Sequence, residues 1–200
     1  TNIWIKKADF PKNIDGTPSS VNSCFSFVVD SCIYVGANFN SFHFDTELWK
    51  YDTRNDSWIE MNDLPSRSTG AVSCNNGYRY FSGTGYQTVN DNCWWEYFPS
   101  SDTWVKRKDM PDNGRLNAIS LSIDNRFFVA TGLHFAGTLT GGRVLSDIVE
   151  YDAVRNVWYK RGNLPGAREN AIGFVIGDRA FIGFGENESG IFNDLWSFKP

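Results

Sequence analysis

Three arginines, Arg67, Arg115 and Arg168, each stand a few residues after a proline. A guanidinium is a planar fork of donors that matches a carboxylate, so a convergent set would make a carboxylate site. Asn117 follows Arg115, and Glu169 and Asn170 follow Arg168, adding amides and one carboxylate with acid/base capacity. Aromatic rings gather in two further places, Phe39, Phe42, His43 and Phe44 in one and His134 with Phe135 in the other. Exposed rings of this kind suit a sugar face or a protein partner. His43 and His134 are the only histidines, and even with Asp45 no ligand spacing supports a metal, so no metal or cofactor is expected. Cys24, Cys32, Cys74 and Cys93 form no CxxC, and no two are placed for a disulfide. P-loop, GxSxG, HExxH and complete dinucleotide fingerprints are absent from the sequence, and Asp52 with Asp56 reads as turn chemistry rather than a catalytic dyad.

The elements that would position these residues come from a repeat. A Trp is followed seven residues later by a Pro at Trp4/Pro11, Trp58/Pro65, Trp104/Pro111 and Trp158/Pro165. With 8 Trp and 7 Pro in 200 residues, chance gives about 0.3 such pairs, so the chain is repetitive. Tyr51, Tyr97 and Tyr151 each precede their Trp by seven, and Phe198 takes that position in the last copy. Between these markers lie paired apolar runs joined by tight Asp, Asn or Gly turns, such as Phe25 to Gly36 and Ile172 to Gly183. Such pairs predict hairpins. Each unit thus supplies four short strands, a to d in chain order, and no segment keeps helical periodicity. Repeated four-stranded units predict an all-β propeller, a single domain over 1–200 with repeats at about 12–62, 63–108, 109–162 and 163–200 plus 1–11. The last copy lacks strand d. Residues Ile3 to Lys7 would supply it and close a ring of four blades; the alternative is that the chain is part of a larger propeller.

The a–b and c–d turns are short, whereas the b–c loops are long, and these share their face with the Pro–Arg segments. Variable loops on a rigid scaffold are where binding resides. The repeat Trp residues are expected to wedge between neighbouring blades. The arginines recur like packing residues, so bonding between blades is their leading reading and ligand binding the second.

These markers resemble the kelch family over essentially the whole chain: Tyr-Asp before a Trp, a Pro after it, and an Arg after the Pro, as in Tyr151-Asp152, Trp158, Pro165 and Arg168. The first copy departs from the pattern with Val21 at the Arg position, and the family's double glycine is eroded to Gly36-Ala37, Gly83-Thr84-Gly85, Thr131-Gly132 and Gly183-Phe184-Gly185. This form is similar to bacterial extracytoplasmic kelch-like proteins, which implies a periplasmic, cell-surface or secreted location. The resemblance implies a binding module for a protein or glycan partner, and the residues expected to meet that partner are Arg67, Arg115, Arg168, Glu169, Asn117, Phe42, His43, His134 and Phe135. The alternative it implies is a sialic-acid mutarotase, with Arg115 and Arg168 on the carboxylate and Glu169 as acid/base. A third expectation is a spacer within a larger assembly.

Composition sets the limits on these readings. Hydrophobic residues are 41% and aromatics 16%, enough for a packed core. A net charge of −4, with no basic stripe, argues against a nucleic-acid partner. No apolar run reaches the roughly 20 residues of a membrane-spanning helix, and no stretch at the N-terminus reads as a signal peptide.

Overall fold

Alternating apolar residues bounded by left-handed turn residues fold the described residues into three antiparallel four-stranded sheets and one of three strands. The computed structural model describes residues 2–11, 23–36, 39–40, 43–44, 46–66, 68–86, 90–112, 114–135 and 142–200. Blade 1 runs β1 (Phe25–Val29), β2 (Cys32–Gly36), a loop ribbon of β3 (Phe39–Asn40) with β4 (His43–Phe44), then β5 (Leu48–Asp52) and β6 (Ser57–Met61). Blade 2 is β7 (Val72–Asn75), β8 (Tyr80–Gly83), β9 (Trp94–Phe98) and β10 (Thr103–Lys106). Blade 3 is β11 (Ile119–Ile123), β12 (Arg126–Ala130), the ribbon β13 (Leu133–Phe135) and β14 (Gly142–Val144), then β15 (Asp147–Asp152) and β16 (Val157–Asn163). Blade 4 is β17 (Ile172–Ile176), β18 (Arg179–Gly183), the ribbon β19 (Glu186–Asn187) and β20 (Gly190–Ile191), and β21 (Leu195–Phe198). The sheets are a meander in each blade, and β1, β7, β11 and β17 pack on one another in succession as the inner strands. This is a β-propeller arrangement of four blades.

Local chemistry sets each turn. Asp30, Asp124 and Gly177 take positive φ in the two-residue a–b turns, a conformation that these hairpins require. In the c–d turns, Asp52 Oδ1 accepts from Arg54 N at 2.9 Å and Asp152 Oδ1 from Val154 N and Arg155 N at 2.9 Å. Asp52 is thus a turn former, as its sequence context suggests.

The core lies between blades rather than within them. Phe25, Phe27, Tyr34 and Leu48 pack against Ala71, Tyr80 and Tyr97 across the first junction. Val72, Cys74, Phe81 and Trp94 meet Phe127, Val129 and Tyr151 across the second. Ile119, Leu121, Ile123 and Phe128 meet Ala180 and Ile182 across the third. Each strand therefore sends alternate side chains to opposite neighbours.

The repeat Tyr and Trp build a clamp at each of the first two junctions. Tyr97 Oη donates to Asp102 Oδ1 at 2.7 Å, while Asn62 N of the preceding blade donates to the same carboxylate, to Oδ2 at 3.0 Å. Trp104 Nε1 returns a bond to Asn62 O at 3.0 Å. The next clamp repeats this with Tyr151, Asn156, Lys108 and Trp158. Each acceptor, Asp56, Asp102 and Asn156, sits at positive φ, which short polar side chains tolerate best.

Two expectations are corrected. Among the described residues blade 4 has three strands, not four, and residues 2–11 form no strand and do not pair with β21. Residues 8–10 instead dock on blade 1: Ala8 N donates to Asp56 Oδ1 at 2.9 Å, Trp58 Nε1 to Ala8 O at 3.1 Å, and Phe10 lies edge-on to Trp58. The pull of that clamp holds the segment beside blade 1 while Trp4 remains 97% exposed.

Candidate functional site

The loop face is assembled by backbone zips between the d–a connection and the b–c loop in blades 2, 3 and 4. Thr69 pairs with Tyr86, Leu116 with Leu133, and Glu169 with Glu186. A second set ties neighbouring blades, with Gly85 N donating to Arg115 O at 2.6 Å and Gly132 N to Arg168 O at 2.9 Å. The approach is close enough that a Cβ on Gly85, at φ +108°, would run into Thr69 O.

Arg115 and Arg168 are fully buried in this framework. Arg115 Nη1 donates to Asp147 Oδ1 at 2.9 Å and to Thr131 O at 3.0 Å, and Nη2 to Asp147 Oδ2 at 3.0 Å and to Asp112. Burial works against its charge, but Asp147 and Asp112 outweigh it and raise its pKa. Arg168 forks onto Asp194, caps Phe184 O at 3.1 Å and Pro165 O at 2.7 Å, and stacks 3.9 Å from the Phe192 ring centre. Its hydrogen bonds carry Asp194 down to about 2, against the opposing effect of burial. Each arginine pins three segments of its own blade: the d–a connection, the end of strand b and the start of strand c. They form the wall of the loop face, not its surface.

The register of the zips also moves the repeat position in blade 2. Ser68, not Arg67, precedes Thr69 as Arg115 precedes Leu116 and Arg168 precedes Glu169. Ser68 Oγ donates to Thr84 O at 2.7 Å, the carbonyl position that Arg115 reaches at Thr131 and Arg168 at Phe184. Arg67 itself, Phe42 and the side chain of His43 lie outside the described residues.

Of the remaining candidates, the fold joins Asn117 and Glu169, with Asn117 Nδ2 donating to Glu169 Oε2 at 2.7 Å across the blade 3–4 junction. Asn170 Nδ2 makes the next bond outward, to Glu186 Oε1 at 3.0 Å. Phe135 folds back over the blade 2 loop, edge-on to Tyr86 at 4.9 Å, and its amide donates to Asn90 Oδ1 at 3.0 Å. His134 Nδ1 lies 3.3 Å from Gly114 O, half-buried, at the edge of a cavity of about 120 Å³ lined by Asp112, Gly114, His134, Arg143 and Leu145. Arg143, opposite His134 in the β13–β14 ribbon, is exposed and has no ion pair among the described residues. Nothing in the repeat marks Arg143, because the b–c loops differ in length and sequence from blade to blade.

Larger grooves of about 830 and 670 Å³ lie at the short-turn side of the blades. The first is lined by Arg126, Glu150 and Arg161, whose charges already satisfy one another at 2.6 Å. Blade 2 repeats that triad with Arg79, Glu96 and Arg107. Burial opposes ionisation of Glu96 and Glu150, yet the paired arginines prevail and lower both pKa values. Each triad sets two guanidiniums on one carboxylate and keeps a net charge of +1, with both oxygens of the carboxylate already engaged. All four cysteines are free thiols, and burial pushes the Cys93 thiol up to about 12, which removes it as a nucleophile. Among the described residues no group of three His, Cys, Asp or Glu could hold a metal ion, and no helix is long and apolar enough to cross a membrane.

No protein-family model matches the chain, and comparison with curated protein sequences gives no match. Solved structures do match. The chain is similar to the structure of YjhT at a TM-score of 0.75 and 17% sequence identity, over 92% of this chain and 64% of YjhT. At that identity the likeness carries the architecture alone: the chain has an all-β propeller fold and spans 64% of the length of YjhT.

Proposed function

We propose that this chain is a kelch-type, extracytoplasmic binding module whose loop face takes an acidic group of a glycan or protein partner. The observation that carries this reading is exposed Arg143, without an ion pair among the described residues, beside half-buried His134 over a cavity of about 120 Å³. That volume is well below the roughly 300–1,000 Å³ of pockets that engulf a small molecule. It fits one projecting group of a larger partner, with the remainder lying across the ribbons. Arg115 and Arg168 support the site from beneath by fixing the loops. The test is binding of the purified chain to arrays of acidic and neutral glycans and to candidate surface proteins, followed by titration of the best ligand. Arg143→Ala is expected to lower affinity by about tenfold, the loss of one charge-assisted hydrogen bond. Unchanged binding in that variant, or no acidic ligand at all, would remove the reading.

A second reading, a sialic-acid mutarotase, is supported by Glu169. Its half-buried carboxylate is oriented by Asn117 on the loop face. There it would take the anomeric hydroxyl proton while water gives a proton to the ring oxygen and the C–O ring bond opens; reclosure on the other face of the carbonyl reverses both transfers. The buried arginines cannot hold the sugar carboxylate, which would fall to Arg143. Faster anomer equilibration by NMR, lost in Glu169→Gln, is the expected result of this reading; no acceleration ends it.

A further inference from the structure

Blade 1 departs from blades 2 and 3 at matched positions on the face it turns to the next blade. Tyr34 lies opposite Lys50 in blade 1, as Phe81 lies opposite Glu96 in blade 2 and Phe128 opposite Glu150 in blade 3. Two residues before these rings stand Cys32, Arg79 and Arg126. Arg79 spreads over the Phe81 ring at 5.2 Å from its centre, grips Glu96 and reaches Ala153 O of blade 3 at 3.0 Å. Arg126 covers Phe128 at 5.4 Å and grips Glu150. Met61 takes the strand position of Arg107 and Arg161, the second arginine of each triad.

Blade 1 thus has neither arginine. Cys32 is too short to span the Tyr34 ring, and a groove of about 670 Å³ remains between this wall and Pro99 and Ser100 in the turn of blade 2. A Lys where the other blades carry a carboxylate inverts the charge. Lys50 is half-buried and makes no ion pair or hydrogen bond among the described residues. Asp52, also lining the groove, is already engaged by its own turn, accepting from Arg54 N at 2.9 Å and Asn55 Nδ2 at 2.7 Å. Tyr34 adds a hydroxyl at the position of the two phenylalanines. It is only 4% exposed, yet that hydroxyl has no hydrogen-bond partner among the described residues and is not sealed from solvent. Burial, helped by nearby Cys32 and Asp102, pushes its pKa up to about 12, so it is a donor at neutral pH. A nearly buried donor without an acceptor favours any ligand that supplies one.

We propose that this groove binds a small organic carboxylate, held between the Lys50 ammonium and the Tyr34 hydroxyl, with its apolar body against Val29 and Pro99. The volume lies within the roughly 300–1,000 Å³ of pockets that engulf a small molecule. One carboxylate satisfies both unpaired donors, through charge-assisted hydrogen bonds. A single carboxylate is favoured over two, because Asp30 and Asp52 also line the groove. The groove is on the short-turn side, away from the ribbon that carries His134 and Arg143, so the proposal does not rest on binding at the loop face.

Benzoate is the probe, with benzamide as its neutral isostere, and amide chemical shifts of the isotope-labelled chain are the readout. Millimolar benzoate should move the amides of residues 29–34, 50–54 and 100 in a saturable way, and benzamide should move them little. This comparison uses the wild-type chain and depends on no variant folding. Lys50→Met should weaken benzoate by about tenfold, and Tyr34→Phe, which keeps the ring, by about threefold. Cys32→Arg combined with Lys50→Glu rebuilds the Arg79–Glu96 arrangement in blade 1 and should abolish the shifts with the fold retained. No saturable shift at these residues, equal shifts with benzamide, or full affinity in folded Lys50→Met overturns the inference. So does benzoate binding that maps to residues 133–144 instead.

Discussion

Arg168 shows what a recurrent charged residue does in this fold. It has no exposed surface, and its five donors reach Asp194 and three carbonyls, so truncation strands several acceptors at once. Arg168→Leu is expected to cost about 3 kcal/mol of stability in urea unfolding, in the range for removing one partner of a buried pair. Glycan or partner affinity, measured on the fraction that remains folded, should change little. A variant of unaltered stability with lost binding would return Arg168 to the ligand site. The sequence already separates these roles in part, because a residue present in several copies serves every copy. It does not show which residue of blade 2 is equivalent. The Trp-to-Arg distance varies between copies, and only the pairing of Thr69 with Tyr86 shows that Ser68 stands in the register of Arg115 and Arg168. Nor does it reveal Asp147 and Asp194 as partners, since each lies beyond a loop of irregular length.

At the scale of the element, the clamps at the first two junctions tie blades 1, 2 and 3 into one arc. Asp102 accepts from Tyr97 Oη and from Asn62 N, and Asn156 does the same work in the next blade. Asp102→Asn is therefore expected to be nearly neutral. Asp102→Ala loses both bonds and places a Cβ-bearing residue without a stabilising polar group at φ +51°, a cost of about 2 kcal/mol. Chemical denaturation of the two variants side by side checks this, and equal loss in both would mean that the charge, not the acceptor, is what the turn needs. Hairpins, turn residues and strand order were all legible in the sequence, because each is set by local alternation and turn chemistry. The Tyr–Asp/Asn–Trp spacing carried the clamp too, for Tyr51, Tyr97 and Tyr151 each precede their acceptor by five residues. What local pattern does not encode is the angle between blades. Closure through residues 3–7 depends on that angle, and β21 pairs with β18 and with no second strand among the described residues.

Across the whole molecule, charge and burial are distributed unevenly, and acid should reveal it. Glu96 and Glu150 are held below their ordinary 4.5 and Asp194 below 3.8, at about 2. A depressed carboxylate stabilises the fold at every pH above its unfolded value, and that stability is lost as pH falls through the folded value. Stability should thus be flat above about pH 5 and decline from about pH 4.5 towards pH 2. The order of loss follows from position. Glu96 and Glu150 belong to blades 2 and 3, each covered by a neighbour on both sides, whereas blade 4 is covered on one side only. In a succession of units, stability is the sum of each unit and its interfaces, so a unit with one interface opens first. Hydrogen exchange at pH 7, at a concentration where the chain is a monomer, should show residues 172–176 and 195–198 exchanging well ahead of 119–130. Lowering the pH to 3 should erode the middle blades and narrow that gap, since the triads that acid removes lie there. Uniform protection in all four blades at neutral pH would mean that the edge of blade 4 is covered within a single chain, and the arc would be a closed ring.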